Sequence, residues 1–490
     1  MKKRSFWFSA AGALVVAIVL AGCGKTTFFA GRQLPPSQLT TRVLIAIQNP
    51  SALSKGALEI VDAFYDTRYR FNNTSVTYAI SGFSGALPIS IQNMPEEQLG
   101  AVYGSGDGSF TLINYAKESS NGAVKGLSGL SSSIFVSRSE NYLFAAQQAS
   151  HVLTIVNQAT GGGVSLGLPG IYRVSVNPGG SMALAFVQNS NYIYYPRQLT
   201  AAQTVAYSGG SSTWPKAAVD CEPQNGPLWC LFQAQSPDAV DATGNAYGAP
   251  LSFDRPAKAV FSEDGGTAYI LNCGPECGGT AASISLLPVS PMIFNTGQQS
   301  GLLPCNTAPC ANPSTTPFTT IPIPGGSSNA LVTGSTMYVA GQQLLSDGLF
   351  TGNLTVVNLA NNTAGSPTSI SDGAPGAVSR MILADDNTLW IGMTKCNNGE
   401  RIETGQPFGC LTMYNTATNS VSMIEPYLGD ATGIADVAGY HKVYVAQGGQ
   451  VYIFSTRDGS SINNQYVTVA GTAYDVAFMD ATTDSNNTVY

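Results

Sequence analysis

Apolar and polar residues alternate along this chain in short runs, each bounded by a turn rich in Gly, Asp or Asn, which is the two-residue period of half-buried β-strands. RVSVNPGGSMALAFV (173–187), KAVFSEDGGTAYILN (258–272), NALVTGSTMYVAG (329–341) and RMILADDNTLWIGM (380–393) share one order: an alternating strand, a polar turn, then a strand rich in aromatic and β-branched residues. Third strands follow at HVLTIVN (151–157), GNLTVVNLAN (352–361), CLTMYNTATN (410–419) and QVYIFSTRDG (450–459), and a fourth at SVSMIEPYLG (420–429). Strand quartets recurring at a period of about forty residues are the pattern of a β-propeller, one blade per unit.

Aligning the first strands brings Pro88, Ser133, Arg173, Lys216, Lys258, Asn329, Arg380, Ile434 and Asp475 to one position, at separations of 45, 40, 43, 42, 71, 51, 54 and 41 residues. The long gap after Lys258 contains two cysteine pairs and reads as a blade with an insertion, whereas the unit at Lys216 has the faintest later strands. Propellers ordinarily carry four to eight blades. The expectation is an all-β chain with a single propeller of four-stranded blades over residues 42–490, about eight in number and within seven to nine. YDVAFMD (474–480) looks like a first strand without a unit, and RVLIAIQN (42–49) with ALEIVDAF (57–64) look like a second and third strand without a first. Pairing of the two chain ends would complete that blade and leave no sheet edge open. Leu53, Ala57, Ile60, Val61, Phe64 and Phe71 approach helical spacing, but a helix there would leave the unit incomplete.

The N-terminus departs from this pattern. Lys2, Lys3 and Arg4 precede an apolar run from Ser9 to Leu20, the layout of a secretory signal (residues 1–22). Gly24-Lys25-Thr26 ends like a phosphate-binding loop, but the glycine that opens such a loop is replaced by Val19 and no strand precedes it. Leu20-Ala21-Gly22-Cys23 resembles the lipobox of bacterial lipoproteins. That resemblance implies cleavage before Cys23, lipidation of its thiol and anchoring to a bacterial membrane; Gly24 after it implies the outer membrane in a double-membrane cell. Residues 23–41, with Pro35-Pro36, would be the tether.

Removing the first 22 residues leaves 19 Lys and Arg against 29 Asp and Glu, a net charge of −10, which excludes non-specific nucleic-acid binding. Charged residues are only 10% of the chain, so the surface is mostly Ser, Thr, Asn, Gln and Gly. Eight cysteines besides Cys23 lie as near neighbours, Cys221 with Cys230, Cys273 with Cys277, Cys305 with Cys310 and Cys396 with Cys410, which in an exported chain favours local disulfides. No C-x-x-C spacing and only two histidines argue against zinc or haem, so neither a metal nor a cofactor is expected.

Ser262-Glu263-Asp264-Gly265-Gly266-Thr267-Ala268-Tyr269-Ile270 is similar to the S-P-D-G-x-x-A-Y-V turn of the YVTN-type propeller repeats of bacterial surface and secreted proteins, including the lactonase-like group, with Glu in place of Pro. The resemblance implies a propeller and admits a lactonase-like activity at the channel mouth. First strands line the channel of a propeller, so Arg173, Lys216, Lys258 and Arg380 form a candidate anion site on an acidic body, tempered by Asp475. The bland alternative pairs each with a carboxylate such as Asp220 or Asp436. No histidine stands in a catalytic arrangement: His151 opens a strand and His441 lies in a turn, as do Asp385 and Asp386. The sequence therefore points to a monomeric binding or scaffold module for a protein, glycan or small anionic ligand, with loop aromatics such as Trp214 and Trp229 as possible contacts. A lactonase-like hydrolase and a passive cell-surface or adhesion protein are the alternatives.

Overall fold

The computed structural model describes residues 34–482 except 71–72, 124–126, 128, 138–140, 200–217, 224–227, 235–249, 290–317, 373, 397–407 and 463–465. The expected signal segment, Cys23, Lys216, Trp214, Cys305 and Cys310 lie outside the described residues. Eight antiparallel sheets follow one another around a ring, and there is no α-helix among the described residues, only a 3-10 turn at Gly274–Cys277.

Blades are numbered here from the N-terminus. Their innermost strands are Pro88–Met94 (blade 2), Ser133–Val136 (blade 3), Ile171–Val176 (blade 4), Pro256–Phe261 (blade 5), Asn329–Thr333 (blade 6), Ala377–Ala384 (blade 7) and Ala431–Val437 (blade 8). Blade 1 draws its innermost strand, Thr472–Phe478, from the far end of the chain. That strand lies antiparallel to Arg42–Gln48, with Val43 opposite Phe478 and Ala46 opposite Asp475. Gly56–Asp62 follows as a strand, as the repeat requires.

The hydrophobic core shows why the ring closes. Eight clusters of buried side chains lie one at each interface between successive blades, and the last joins blade 8 to blade 1 through Ala435, Tyr444 and Val451 against Val43, Ile45 and Val476. Each strand thus buries both faces, one against each neighbour. In Val43–Ile47 every residue is essentially inaccessible: Val43, Ile45 and Ile47 face blade 8, and Leu44 and Ala46 face blade 2. This accounts for runs of apolar residues interrupting the strict alternation.

A buried ion cluster locks the seam. Arg42, with its side chain fully enclosed, holds Asp480 through Nη2 at 2.5 Å and Glu118 of blade 2 through Nη1 at 2.9 Å. The same Nη1 donates to the Tyr115 carbonyl at 2.8 Å, and the Ser37 backbone N–H donates to Glu118 at 2.8 Å. Three distant segments are therefore tied at one point beside the closing strand.

The weak unit at Lys216 is not a blade. Ala218–Pro223 is the outer edge of the five-stranded fourth blade, reached in the order Ile171–Val176, Ala183–Val187, Ile193–Leu199, Leu228–Gln233, Ala218–Pro223. Lys216 lies outside the described residues; the strand that follows it lies at the rim. There Asp220 and Glu222 accept the Gly167 and Ser165 backbone N–H groups at 2.5 and 3.0 Å, covering the edge strand of blade 3. Three of the expected disulfides are formed, Cys221–Cys230, Cys273–Cys277 and Cys396–Cys410.

Candidate functional site at the channel mouth

A single backbone device recurs near the start of the inner strands. Pairing with the second strand skips a residue before Ser90, Arg173, Lys258, Arg380 and Gly433, and the closing strand skips Tyr474 before Asp475. Such a β-bulge adds twist and re-aims the side chain next to it. Ser133 and Asn329 open the paired stretch in blades 3 and 6 at the same distance from the first turn. One ring of positions results: Asp475, Ser90, Ser133, Arg173, Lys258, Asn329, Arg380 and Gly433 in blades 1 to 8.

The ring stitches neighbouring blades. Ser133 Oγ accepts from the Val174 N–H, Asp475 accepts the Ile91 N–H at 2.7 Å, and Lys258 Nζ donates to Asn329 Oδ1 at 3.0 Å. Arg380 reaches past blade 8 to Asp475, Nη2 to Oδ2 2.5 Å, with both side chains buried. The path is open because blade 8 contributes glycine: a Cβ on Gly433 would stand 2.4 Å from Asp475 Oδ1.

Three of the four expected cations thus converge. Lys258 is buried, and burial first, then the fields of Arg173 and Arg380, hold its ammonium well below its ordinary range. Arg380 is committed to Asp475. Arg173 is half-buried; its guanidinium makes a long bond to the Ala257 carbonyl at 3.4 Å, lies 5.7 Å from the Tyr172 ring centre, and among the described residues forms no ion pair with a carboxylate. Neither Asp220 nor Asp436 pairs with these cations; Asp220 serves blade 3, and Asp436 lies among other carboxylates.

Glu276 is the residue that the spacing did not reveal. The 3-10 turn Gly274–Cys277 joins the second and third strands of blade 5, on the face where the inner strands begin, and the Cys273–Cys277 disulfide closes it. Glu276 accepts the Gln342 N–H at 2.9 Å, and Ser328 also bonds it. Burial pushes its carboxyl up, opposed by those bonds and by the charge of Arg173. Tyr172 and Cys277, the sequence neighbours of Arg173 and Glu276, line a common recess of about 190 Å³ with Arg255 and Asn189.

A second polar group sits between blades 7 and 8, at the opposite face where first strands turn into second ones. His441 Nδ1 lies 2.8 Å from Asp386 Oδ2 and 3.9 Å from Asp385 Oδ2. These three residues offer atoms within 4.8 Å of one another, a donor set that a divalent cation would accept, although exposed acidic turns often serve only themselves. Both Asp385 and Asp386 lie in the expected turn, and His441 holds a left-handed backbone there at φ 55°. Burial, then repulsion from Asp385, pushes Asp436 up to about 8. The folded carboxyl therefore keeps its proton to about pH 8 while an unfolded one, at 3.8, releases it. Its contribution to stability is full in acid and lost as pH rises through 8. Asp436→Asn should melt higher than the parent at pH 9, by about 1–3 kcal/mol, with no gain at pH 4. Thermal melts across that range check this.

Trp229, expected on a loop surface, is fully buried in the core between blades 3 and 4, so it takes no part in contacts with partners.

Fold and ring together define the class: an eight-bladed β-propeller with a polar collar at the narrow start of its inner strands. Among solved structures the chain is similar to dihydro-heme d1 dehydrogenase NirN in complex with DHE, at TM-score 0.50 and 9% identity over 91% of this chain and 79% of that one. It is also similar to the periplasmic gluconolactonase PpgL of Pseudomonas aeruginosa, at 0.41 and 13% over 89% and 98%. A third is the Kuenenia stuttgartiensis hydrazine synthase, at 0.41 and 13% over 71% and 89%. No family model matches the chain, and no curated protein matches it in sequence. At such identities the likeness is one of fold, which does not determine chemistry.

Proposed function

We propose that this is an exported, lipid-anchored binding protein whose propeller holds the anionic group of a small ligand at one mouth of its channel. Arg173 carries the reading. It is aimed by a bulge, half-buried in the field of Lys258, and ion-paired with no carboxylate among the described residues, where Arg380 is neutralised by Asp475. A guanidinium in such a place binds a carboxylate or phosphate by paired hydrogen bonds. Blades supply a rigid frame, and the turns between strands supply recognition. Export is supported by three disulfides and by the N-terminal signal, and lipidation of Cys23 would set the propeller beside a membrane. The turn at Ser262–Ile270 supports a YVTN-type ancestry. A ring with every blade interface closed leaves only the short outer edges of the blades, one of them covered by Asp220 and Glu222, and fits a monomer.

Arg173→Met tests the site. Titration of small carboxylates and phosphate into the mature chain should show at least a tenfold loss of affinity in the variant, equal to about 1.4 kcal/mol, with its melting point unchanged. Binding that survives the substitution, or a parent protein that binds no anion, contradicts the reading. Anchoring is tested separately: Cys23→Ser should release the protein from the membrane fraction.

A lactonase-like hydrolase remains the second reading, favoured by one observation. Lys258, whose ammonium is disfavoured, and Glu276 provide a base and an acid on one side of Arg173. Lactone opening by the parent, abolished in Lys258→Met, would support it; an inert parent would not.

A further inference from the structure

We infer that the propeller rests on the bilayer through an aromatic turn of blade 1, Phe64 and Tyr65, so that the mouth at Arg173 faces away from the membrane. This rests on the reading that Cys23 carries the lipid and adds which face of the ring meets it.

The strand Gly56–Asp62 ends in a tight turn, in which the Asp62 and Thr67 backbones bond each other in both directions. Asp62 Oδ1 also accepts the Phe64 and Tyr65 N–H groups at 3.0 and 3.4 Å. Both carboxylates of the turn are engaged, since Asp66 takes the Lys442 ammonium at 2.6 Å and the Tyr444 hydroxyl. The rings are left outside: Phe64 is 41% and Tyr65 64% exposed. Phe64 meets Tyr65 edge-on at 4.7 Å and Tyr440 of blade 8 at 6.1 Å, so two blades present one aromatic group. Tyrosine, with an apolar body and a polar tip, suits the boundary between water and lipid, and the phenylalanine beside it adds apolar area.

The chain enters the propeller at this same place. Thr41 Oγ1 lies 3.1 Å from the Tyr440 hydroxyl, and Ser37 bonds Glu118 at a blade 2 turn on the same face. Leu34 stands eleven residues after Cys23, a span of at most about 40 Å when fully extended. An anchor so near the aromatic turn keeps that face towards the lipid. A rival apolar group, Leu344, Leu345 and Leu349, caps a hairpin of blade 6 on the channel-mouth face. To lay that hairpin on the bilayer, the tether would have to climb a blade whose strand Arg42–Gln48 alone is about 23 Å long, and then cross the ring. The mature charge of −10 opposes an acidic surface, so the partner is a zwitterionic bilayer.

The experiment couples residues 23–490 through the Cys23 thiol to maleimide-headgroup lipid in vesicles of brominated phosphatidylcholine, whose bromines quench a nearby indole. Tyr65→Trp and Leu349→Trp are each read against the parent. The inference expects the added indole of Tyr65→Trp to lose about half of its emission relative to unbrominated vesicles, and that of Leu349→Trp to lose none. Quenching at Leu349→Trp, or at neither position, overturns the orientation. A Tyr65→Trp indole already shielded from acrylamide without vesicles overturns it too, because the chain itself or a second copy then covers the turn. Should Tyr65→Trp melt below the parent, Phe64→Trp on the same turn takes its place. Attachment here is chemical, so a negative result leaves the lipid reading standing, and fractionation of Cys23→Ser decides that reading separately.

Discussion

Arg42→Ala is expected to cost the propeller about 3–5 kcal/mol, the penalty for leaving buried carboxylates without their counter-charge. Asp480 and Glu118 would remain enclosed beside the seam, Asp480 already pushed up by its burial. The loss should be localised. Early proteolytic cleavage is expected near the closing strand Thr472–Phe478, since that strand is bound to Arg42–Gln48 and to its neighbours but to no continuous partner in sequence. Replacing the group by apolar side chains, Arg42→Met with Asp480→Leu and Glu118→Leu, should recover part of the stability, because no uncompensated charge is then buried. Denaturant unfolding measures both. A single substitution within about 0.5 kcal/mol of the parent would mean that the latch is ornamental.

Arg380→Met is expected to cost a similar 3–5 kcal/mol, because Asp475 would lose its partner inside the channel while still receiving the Ile91 and Val476 N–H groups. Arg173→Met, at the equivalent position three blades away, should stay within about 0.5 kcal/mol of the parent, since among the described residues no carboxylate is ion-paired with it and Glu276, which feels its charge, keeps the Gln342 and Ser328 bonds. A double-mutant cycle with Asp475→Leu isolates the pair: coupling should be large for Arg380 and near zero for Arg173. On that outcome, two cations that look alike in the repeat would divide into a structural one and one left for the proposed binding role. Equal destabilisation by both substitutions would erase that division and the argument for a receptor at Arg173.

How much of this was legible in the sequence follows from the range of the forces involved. Alternation within a strand is local, and it placed Arg173, Lys258, Arg380 and Asp475 at one true structural position. The same alignment missed by two residues at Pro88, where Ser90 holds the position, and by one at Ile434, where Gly433 does. A bulge adds a residue without leaving a mark in the hydrophobic pattern. Lys216 itself lies outside the described residues, but the unit aligned on it is not a blade, for another reason. The stretch KAAVD resembles KAVFS at 258, yet Ala218–Pro223 is added to its blade after Leu228–Gln233, an order decided by pairing rather than by composition. The seam itself was readable, because an unfinished unit at each end leaves few places to go. Its ionic latch was not: Arg42, Glu118 and Asp480 are far apart along the chain, and each by itself reads as an ordinary charge at a strand end. Glu276 was hidden inside a cysteine-closed turn whose disulfide read as a staple, and only the folded ring shows that its carboxyl meets the Gln342 N–H of the next blade.

The proposed anion site at the channel mouth is tested most directly by anomalous diffraction from crystals of residues 23–490 soaked in bromide, read beside the same soak of Arg173→Met. The account predicts a bromide peak within hydrogen-bonding reach of the Arg173 guanidinium in the parent and none there in the variant. Peaks scattered over the outer rim with an empty channel mouth, or an unchanged peak in the variant, would contradict it.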